Sequence, residues 1–220
     1  MGRVTAFASV VLDADSTLAS LEGIDWLARA RGDEVVKRVA ELTDEAMAGR
    51  IPLESVYARR LEIIRPTVAE IEALGDAYIQ ALAPGAHEAV DGMRRAGVSL
   101  RVVSGGIRSG LLPMTRRLGF ADDEVRAVEL DFDAEGRYAG VRPSPLTTQA
   151  GKEEVVRGMG LPRRILAVGD GSTDLAMRPA VDAFAAFVAF VRRPGVVEGA
   201  DLEVSSFGEL VHVVSGDVGA

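Results

Sequence analysis

The chain has 220 residues, 48% of them hydrophobic, and a formal net charge of −8. This length allows one full core and a modest second lobe, no apolar stretch is long enough to cross a bilayer, and the acidic balance, with only short arginine pairs, argues against a nucleic-acid face. The absence of cysteine excludes disulfides, thiol nucleophiles and cysteine-ligated metals, and His87 and His212 belong to no metal-binding pattern, so carboxylates, lysine, hydroxyls and a hard cation remain for any chemistry.

Met1-Gly2-Arg3-Val4-Thr5 runs straight into the first apolar segment without a signal-peptide pattern, and a cytoplasmic location is expected. The segment Ala6–Leu12, closing on Val10-Val11-Leu12, reads as a buried parallel strand. It ends on Asp13-Ala14-Asp15-Ser16-Thr17. The stretch from about Leu18 to Pro84 has no strand-like run. Its apolar residues recur at helical spacing, as in Ile24, Leu27, then Val35, Val36, Val39, then Val56, Leu61, Ile64. A helical lobe over 18–84 is therefore predicted to interrupt a core formed by 1–17 and 85–220.

Beyond the lobe, a helix over Ala86–Ala96 precedes a strand over Val98–Val103, and a helix over Gly110–Leu118 precedes a strand over Val125–Leu130. Asp131 to Tyr138 reads as the turn of a hairpin. Its Asp131-x-Asp133 lies in this turn-like sequence and is set aside as a decoy. A helix over Lys152–Met159, a strand over Ile165–Val168, a helix over Thr173–Val181 and an apolar run over Phe184–Val191 complete the pattern. Alternating strands and helices predict an α/β fold. Its core is a Rossmann-like three-layer α/β/α arrangement around a parallel sheet, with the small helical cap inserted after the first strand. Ligands bind such sheets at the carboxyl ends of the strands.

Four segments carry candidate chemistry. Asp13 and Asp15, two residues apart, point to one side if the backbone stays extended. Paired buried acids repel, and a divalent cation would relieve the repulsion. The alternative is plain helix capping by Asp, Ser or Thr. Ser104-Gly105-Gly106 follows a strand and precedes a helix, as an anion cradle or an ordinary turn. Lys152 opens a helix, where its charge is unfavourable unless Glu153 and Glu154 offset it or it meets an anion. In Gly169-Asp170-Gly171-Ser172-Thr173-Asp174, a parallel sheet would bring Asp170 beside Asp13, whereas Asp174 could be an ordinary acid of a helix N-terminus.

In this order and spacing, Asp13-x-Asp15-Ser16-Thr17, Ser104-Gly105-Gly106, Lys152 and Gly169-Asp170-Gly171-Ser172-Thr173-Asp174 resemble the haloacid dehalogenase superfamily of phosphohydrolases. Glu22 after the DxDST motif, Ala46-Met47-Ala48-Gly49 and Arg60-Leu61-Glu62-Ile63-Ile64 make the chain more narrowly similar to its phosphoserine phosphatase family. The resemblance implies a Mg²⁺-dependent phosphatase of serine biosynthesis. It implies Asp13 as nucleophile, Asp15 as acid and base, and Ser104, Gly105 and Lys152 as phosphoryl ligands. Mg²⁺ would be held by Asp13, the Asp15 carbonyl and Asp170, with Asp174 in support. Met47 and Thr173 join the substrate site, Glu22 takes an ammonium and Arg60 a carboxylate. Arg59 and Arg60 lie about 100° apart on a helix, so only one can face the site.

The implied partner is a small phosphorylated amino acid, with no nucleic acid or membrane, and a homodimer is left open. Departures from the family pattern are Leu53 where phenylalanine is common, Thr173 where many members have asparagine, and a glycine-poor Phe187–Phe190 segment. The competing readings are a phosphatase of another monoester, such as phosphohomoserine or phosphoethanolamine, and a non-catalytic phosphate- or metal-binding regulator. A receiver-type phospho-acceptor would need neither an acid at Asp15 nor a helical lobe.

Overall fold

The computed structural model describes residues 6–47, 51 and 53–216. The side chains of 43, 44, 46, 47, 53 and 54 fall outside that description, which leaves the predicted site residue Met47 and the departure at Leu53 as helix positions only.

Strand β1 (Ser9–Leu12) leads into four helices, α1 (Gly23–Ala30), α2 (Asp33–Met47), α3 (Leu53–Ile64) and α4 (Val68–Gln80). Then follow α5 (Ala86–Arg95), β2 (Ser99–Ile107), α6 (Arg108–Arg117) and β3 (Val125–Val128), and the hairpin of β4 (Leu130–Phe132) and β5 (Tyr138–Val141). The chain continues through α7 (Gly151–Gly158), β6 (Ile165–Gly169), α8 (Ser172–Leu175) and β7 (Ala183–Phe187). It finishes with α9 (Pro194–Gly199), β8 (Leu202–Val204) and α10 (Phe207–Ser215).

Six strands form one parallel sheet in the order β3-β2-β1-β6-β7-β8. All residues of β1 and β6 are buried, as expected of strands covered on both faces. Alternation divides them between two cores. Val10, Leu12, Leu100, Val102, Leu166 and Val168 belong to one, and Val11, Val103, Ile165 and Ala167 to the other. The order reverses at β1, so the crevice beyond the ends of β1 and β6 is the topological switch point. Helix α4 packs on α6 at close range: a Cβ at Gly75 would lie 2.9 Å from Pro113 Cγ, and one at Gly110 would lie 3.0 Å from Leu74 Cδ2.

Several boundaries differ from the sequence expectation. Strand β2 continues through Ile107, so Ser104-Gly105-Gly106 lies in extended chain and not at a helix start; α6 begins at Arg108. The segment Val125–Leu130 splits, β3 pairing with β2 and β4 with β5. The helix expected over Thr173–Val181 stops at Leu175 and gives way to a 3₁₀ turn over Arg178–Ala180, where Pro179 cannot donate a helix hydrogen bond. The run Phe184–Val191 is a strand only to Phe187. Beyond it the Val188 N–H donates to the Val204 carbonyl, and the Phe190 ring lies 6.1 Å from that of Phe187.

Helix α4 starts with a complete capping box. The Glu70 N–H donates to Thr67 Oγ1, and Glu70 Oε2 accepts the Thr67 N–H at 2.8 Å. Thr67→Ala is expected to cost about 1 kcal/mol, which is a fall of roughly 2–4 °C in Tm for a chain of this size. A melting curve superimposable on the wild type would show that the box adds nothing to stability.

Candidate active site

The Asp13 N–H donates to the Val168 carbonyl at 3.0 Å, which ties the residue after β1 to the end of β6. The backbone does not stay extended beyond Asp13. The two carboxyl groups of the motif meet different partners, and just after them Ser16 adopts a left-handed conformation with φ 50°. Asp13 Oδ1 lies 2.8 Å from Lys152 Nζ, an ion pair outside good hydrogen-bond alignment. Asp15 Oδ1 accepts from the Tyr78 hydroxyl at 2.5 Å, and Asp15 Oδ2 accepts from the Gly23 N–H at 3.3 Å, at the first turn of α1.

Burial, then the nearby charges of Glu22 and Asp13, push the Asp15 carboxyl up to about 8. That shift favours the protonated carboxyl near neutral pH, the form that can give a proton away.

Lys152 is 3% exposed, so the surface alternative for this residue is overturned. Its ammonium donates to Asp174 Oδ1 at 2.5 Å as well as facing Asp13. Burial alone would lower its pKa, but the charges of Asp13 and Asp174 outweigh that and hold it firmly charged. Asp174 is raised by burial and by Asp13, with Lys152 opposing. It also caps its own turn, accepting from the Gly171 N–H at 2.9 Å. Gly169 permits this approach, since a Cβ there would fall 2.2 Å from Asp174 Cγ. One oxygen from each of Asp13, Asp170 and Asp174 lies within 4.8 Å of the others. This all-oxygen, buried set suits a hard divalent cation. The Asp15 carboxyl is not in the set, because Tyr78 and Gly23 engage it.

Asp13, Asp15, Glu22, Arg60, Ser104, Gly105, Lys152, Asp170, Thr173 and Asp174 all line one cleft of about 530 Å³. Met47 lies in α2, and its side chain is outside the described residues. The Ser104 hydroxyl accepts from the Gly106 N–H at 3.0 Å. Glu22 accepts from the Ser16 hydroxyl at 2.7 Å, and burial raises its pKa. Arg60 lines the cleft and pairs with Asp25, whereas Arg59 is exposed and turned to another surface.

Three residues of the cleft and its wall were not foreseen. Arg193, a member of one of the short arginine pairs, pairs with Asp170 and lies 3.7 Å from Glu22. Tyr57 lines the cleft from α3, and Tyr78 meets Asp15 from α4. The only sequence signal for the tyrosines is their type: a buried tyrosine brings a polar tip that needs a partner.

The haloacid dehalogenase-like hydrolase family model matches residues 10–178. The phosphoserine phosphatase of Bos taurus is 33% identical over 207 residues, covering 92% of this chain and 91% of its own. A phosphoserine phosphohydrolase-like protein from Francisella tularensis has the same fold, with TM-score 0.82 at 22% identity over 94% of this chain and 99% of its own. A structure described as a phospho-aspartyl intermediate analogue of phosphoserine phosphatase aligns with TM-score 0.77 at 26% identity, covering 94% of this chain and 98% of its own. The chain belongs to the haloacid dehalogenase-like hydrolase family and is a phosphoric monoester hydrolase of the phosphoserine phosphatase-like type.

Gly23 holds the acid in place by having no side chain, since a Cβ would stand 2.2 Å from the Tyr78 hydroxyl. Gly23→Ala must move that hydroxyl off Asp15. Phosphatase activity is expected to fall at least about tenfold, equivalent to ~1.4 kcal/mol, while far-UV circular dichroism stays unchanged. Full activity in Gly23→Ala would mean that the Tyr78 contact does not position Asp15.

Proposed function

We propose that this haloacid dehalogenase-like hydrolase cleaves O-phosphoserine to serine and phosphate through an aspartyl phosphate on Asp13, with Mg²⁺ as cofactor. One observation carries the chemistry. Two carboxyl groups two residues apart meet opposite surroundings, Asp13 beside the charged Lys152 ammonium and Asp15 against the Tyr78 hydroxyl with its pKa pushed up to about 8. A binding protein has no need of that acid, which disfavours the regulator reading. The phospho-aspartyl analogue described for a relative at 26% identity supports the covalent route.

An Asp13 oxygen attacks phosphorus while the P–O bond to the serine oxygen breaks, and Asp15 delivers its proton to that leaving oxygen. Asp15, now a carboxylate, takes a proton from water. The water oxygen attacks phosphorus, and the bond to Asp13 breaks to release phosphate. Lys152 lines the phosphoryl position together with Ser104 and Gly105, offering charge and donors to oxygens that gain negative character. The buried carboxylates of Asp13, Asp170 and Asp174 fit Mg²⁺, with Asp13, Asp170 and the Asp15 carbonyl as the proposed ligands. Bound there, Mg²⁺ would offset phosphoryl charge. The helices α1 to α4 serve as a cap over the cleft, contributing Glu22, Tyr57 and Arg60.

A substrate panel with Mg²⁺ tests the reading. Phosphoserine should be the best substrate, chelation should abolish turnover, and Asp13→Asn should lose at least about three orders of magnitude in kcat. Near-normal turnover by Asp13→Asn would overturn the nucleophile, and full activity in chelator the metal.

Arg193 bears on the metal directly, because its guanidinium occupies Asp170 Oδ2. With Arg193 displaced, the three carboxylates are matched by one lysine and one divalent cation. Arg193→Gln is therefore expected to tighten Mg²⁺ binding by severalfold in calorimetry without substrate. Weaker binding would show that Arg193 organises the site instead of competing for it.

A further inference from the structure

The Tyr57 hydroxyl is fully buried and has no hydrogen-bond partner among the described residues. A buried O–H with no acceptor is a rare and unfavourable arrangement, and it is retained most readily where a ligand supplies the acceptor. The residue lines the cleft that holds Asp13, Asp15 and Ser104. Arg60 lies three residues further along the same helix, on the same face. Its Nη2 pairs with Asp25, while its Nε is buried and also without a partner. Two unsatisfied donors therefore sit on one face of α3.

Their placement matches a particular acceptor. Asp15, Tyr57 and Arg60 line the same cleft, and both charged groups act on the Tyr57 phenol. Burial and the Asp15 charge push the phenol up, which keeps it a neutral donor. In a phosphorylated amino acid with a short side chain, the leaving oxygen and the α-carboxylate are separated by two carbons. With the leaving oxygen at Asp15, a carboxylate two carbons away would still lie in the cleft that Tyr57 and Arg60 line. Because Asp25 already neutralises much of Arg60, the guanidinium alone makes an incomplete carboxylate receptor.

We propose that Tyr57 is a specificity-determining residue whose hydroxyl donates a hydrogen bond to the substrate carboxylate, beside the Nε–H of Arg60. This rests on the reading of the substrate as a phosphorylated amino acid.

Tyr57→Phe removes the hydroxyl and keeps the ring. Phosphoserine and phosphoethanolamine, which lacks the carboxylate, are compared on wild type and variant with Mg²⁺ present. The preference for phosphoserine in kcat/KM should fall about tenfold, or ~1.4 kcal/mol, with most of the loss in KM. The Tm should equal or exceed that of the wild type, since an unpartnered buried donor is gone. Wild-type preference with an unchanged ratio in Tyr57→Phe overturns the role of the hydroxyl alone. A wild type that does not prefer phosphoserine overturns both this role and the substrate reading. A lower Tm with equal losses on both substrates assigns Tyr57 to packing and overturns the proposal.

Discussion

The buried ammonium of Lys152, set between Asp13 and Asp174, is the contact on which the site depends. Two like charges 4 Å apart repel by about 4 kcal/mol at an effective dielectric of 20, and three carboxylates converge here within 4.8 Å. Without an enclosed cation, that convergence would open the ends of β1 and β6. Lys152 comes from the first turn of α7, where helix electrostatics disfavour it. Its position is explained by the two carboxylates it meets. The lysine therefore serves the fold and the chemistry together, restraining the acids and leaving a fixed positive charge in the cleft.

The sheet determines which acids meet. Leu12 pairs with Val168 in register, so Asp13 and Gly169 stand at the same level on adjacent strands and Asp170 is one residue beyond. Because the strand order reverses at β1, the connections after β1 and β6 run to opposite sides and leave a crevice between these two ends. The sequence then bends in two ways that a regular βα turn would not. Ser16 turns left-handed directly after Asp15, and glycine at 169 lets Asp174 fold back beneath the strand end. Two acids of one motif thus reach environments different enough to take different roles.

The parts legible in the sequence were those fixed by residue identity at strand ends. Asp13, Ser104 and Asp170 follow or border apolar runs and converge with Lys152, which opens a helix, in one cleft. The parallel sheet was legible for the same reason. Arg193 was not, because nothing local distinguishes an arginine reaching across to Asp170 from a solvated neighbour such as Arg192, which pairs with Glu203. Tyr78 sits among the core residues of α4 and reads as one of them. Strand β8 has only three residues, too few for a periodic signal. Helix α10 did carry one, since Ser206 accepts from the Glu209 N–H ahead of Leu210, Val211, Val213 and Val214.

The residues proposed to hold phosphate and those proposed to read the rest of the substrate are thus specified differently. The first group lies at the ends of buried strands and beside a buried lysine, where a shift of one residue would move a side chain to the other face of the sheet. Helices α1 and α3 and the chain leading into them carry the second group: Glu22, Asp25, Tyr57 and Arg60. A helix face tolerates substitution without loss of register, so its donors can change while the strand-end acids stay fixed. Asp25 shows the consequence. By pairing with Arg60 it offsets part of a cation at the cleft, and the proposed carboxylate site would share that remaining charge with the neutral Tyr57 hydroxyl. On this reading, substrate choice would follow from how α1 and α3 face each other, and the hydrolytic chemistry from how β1 and β6 end.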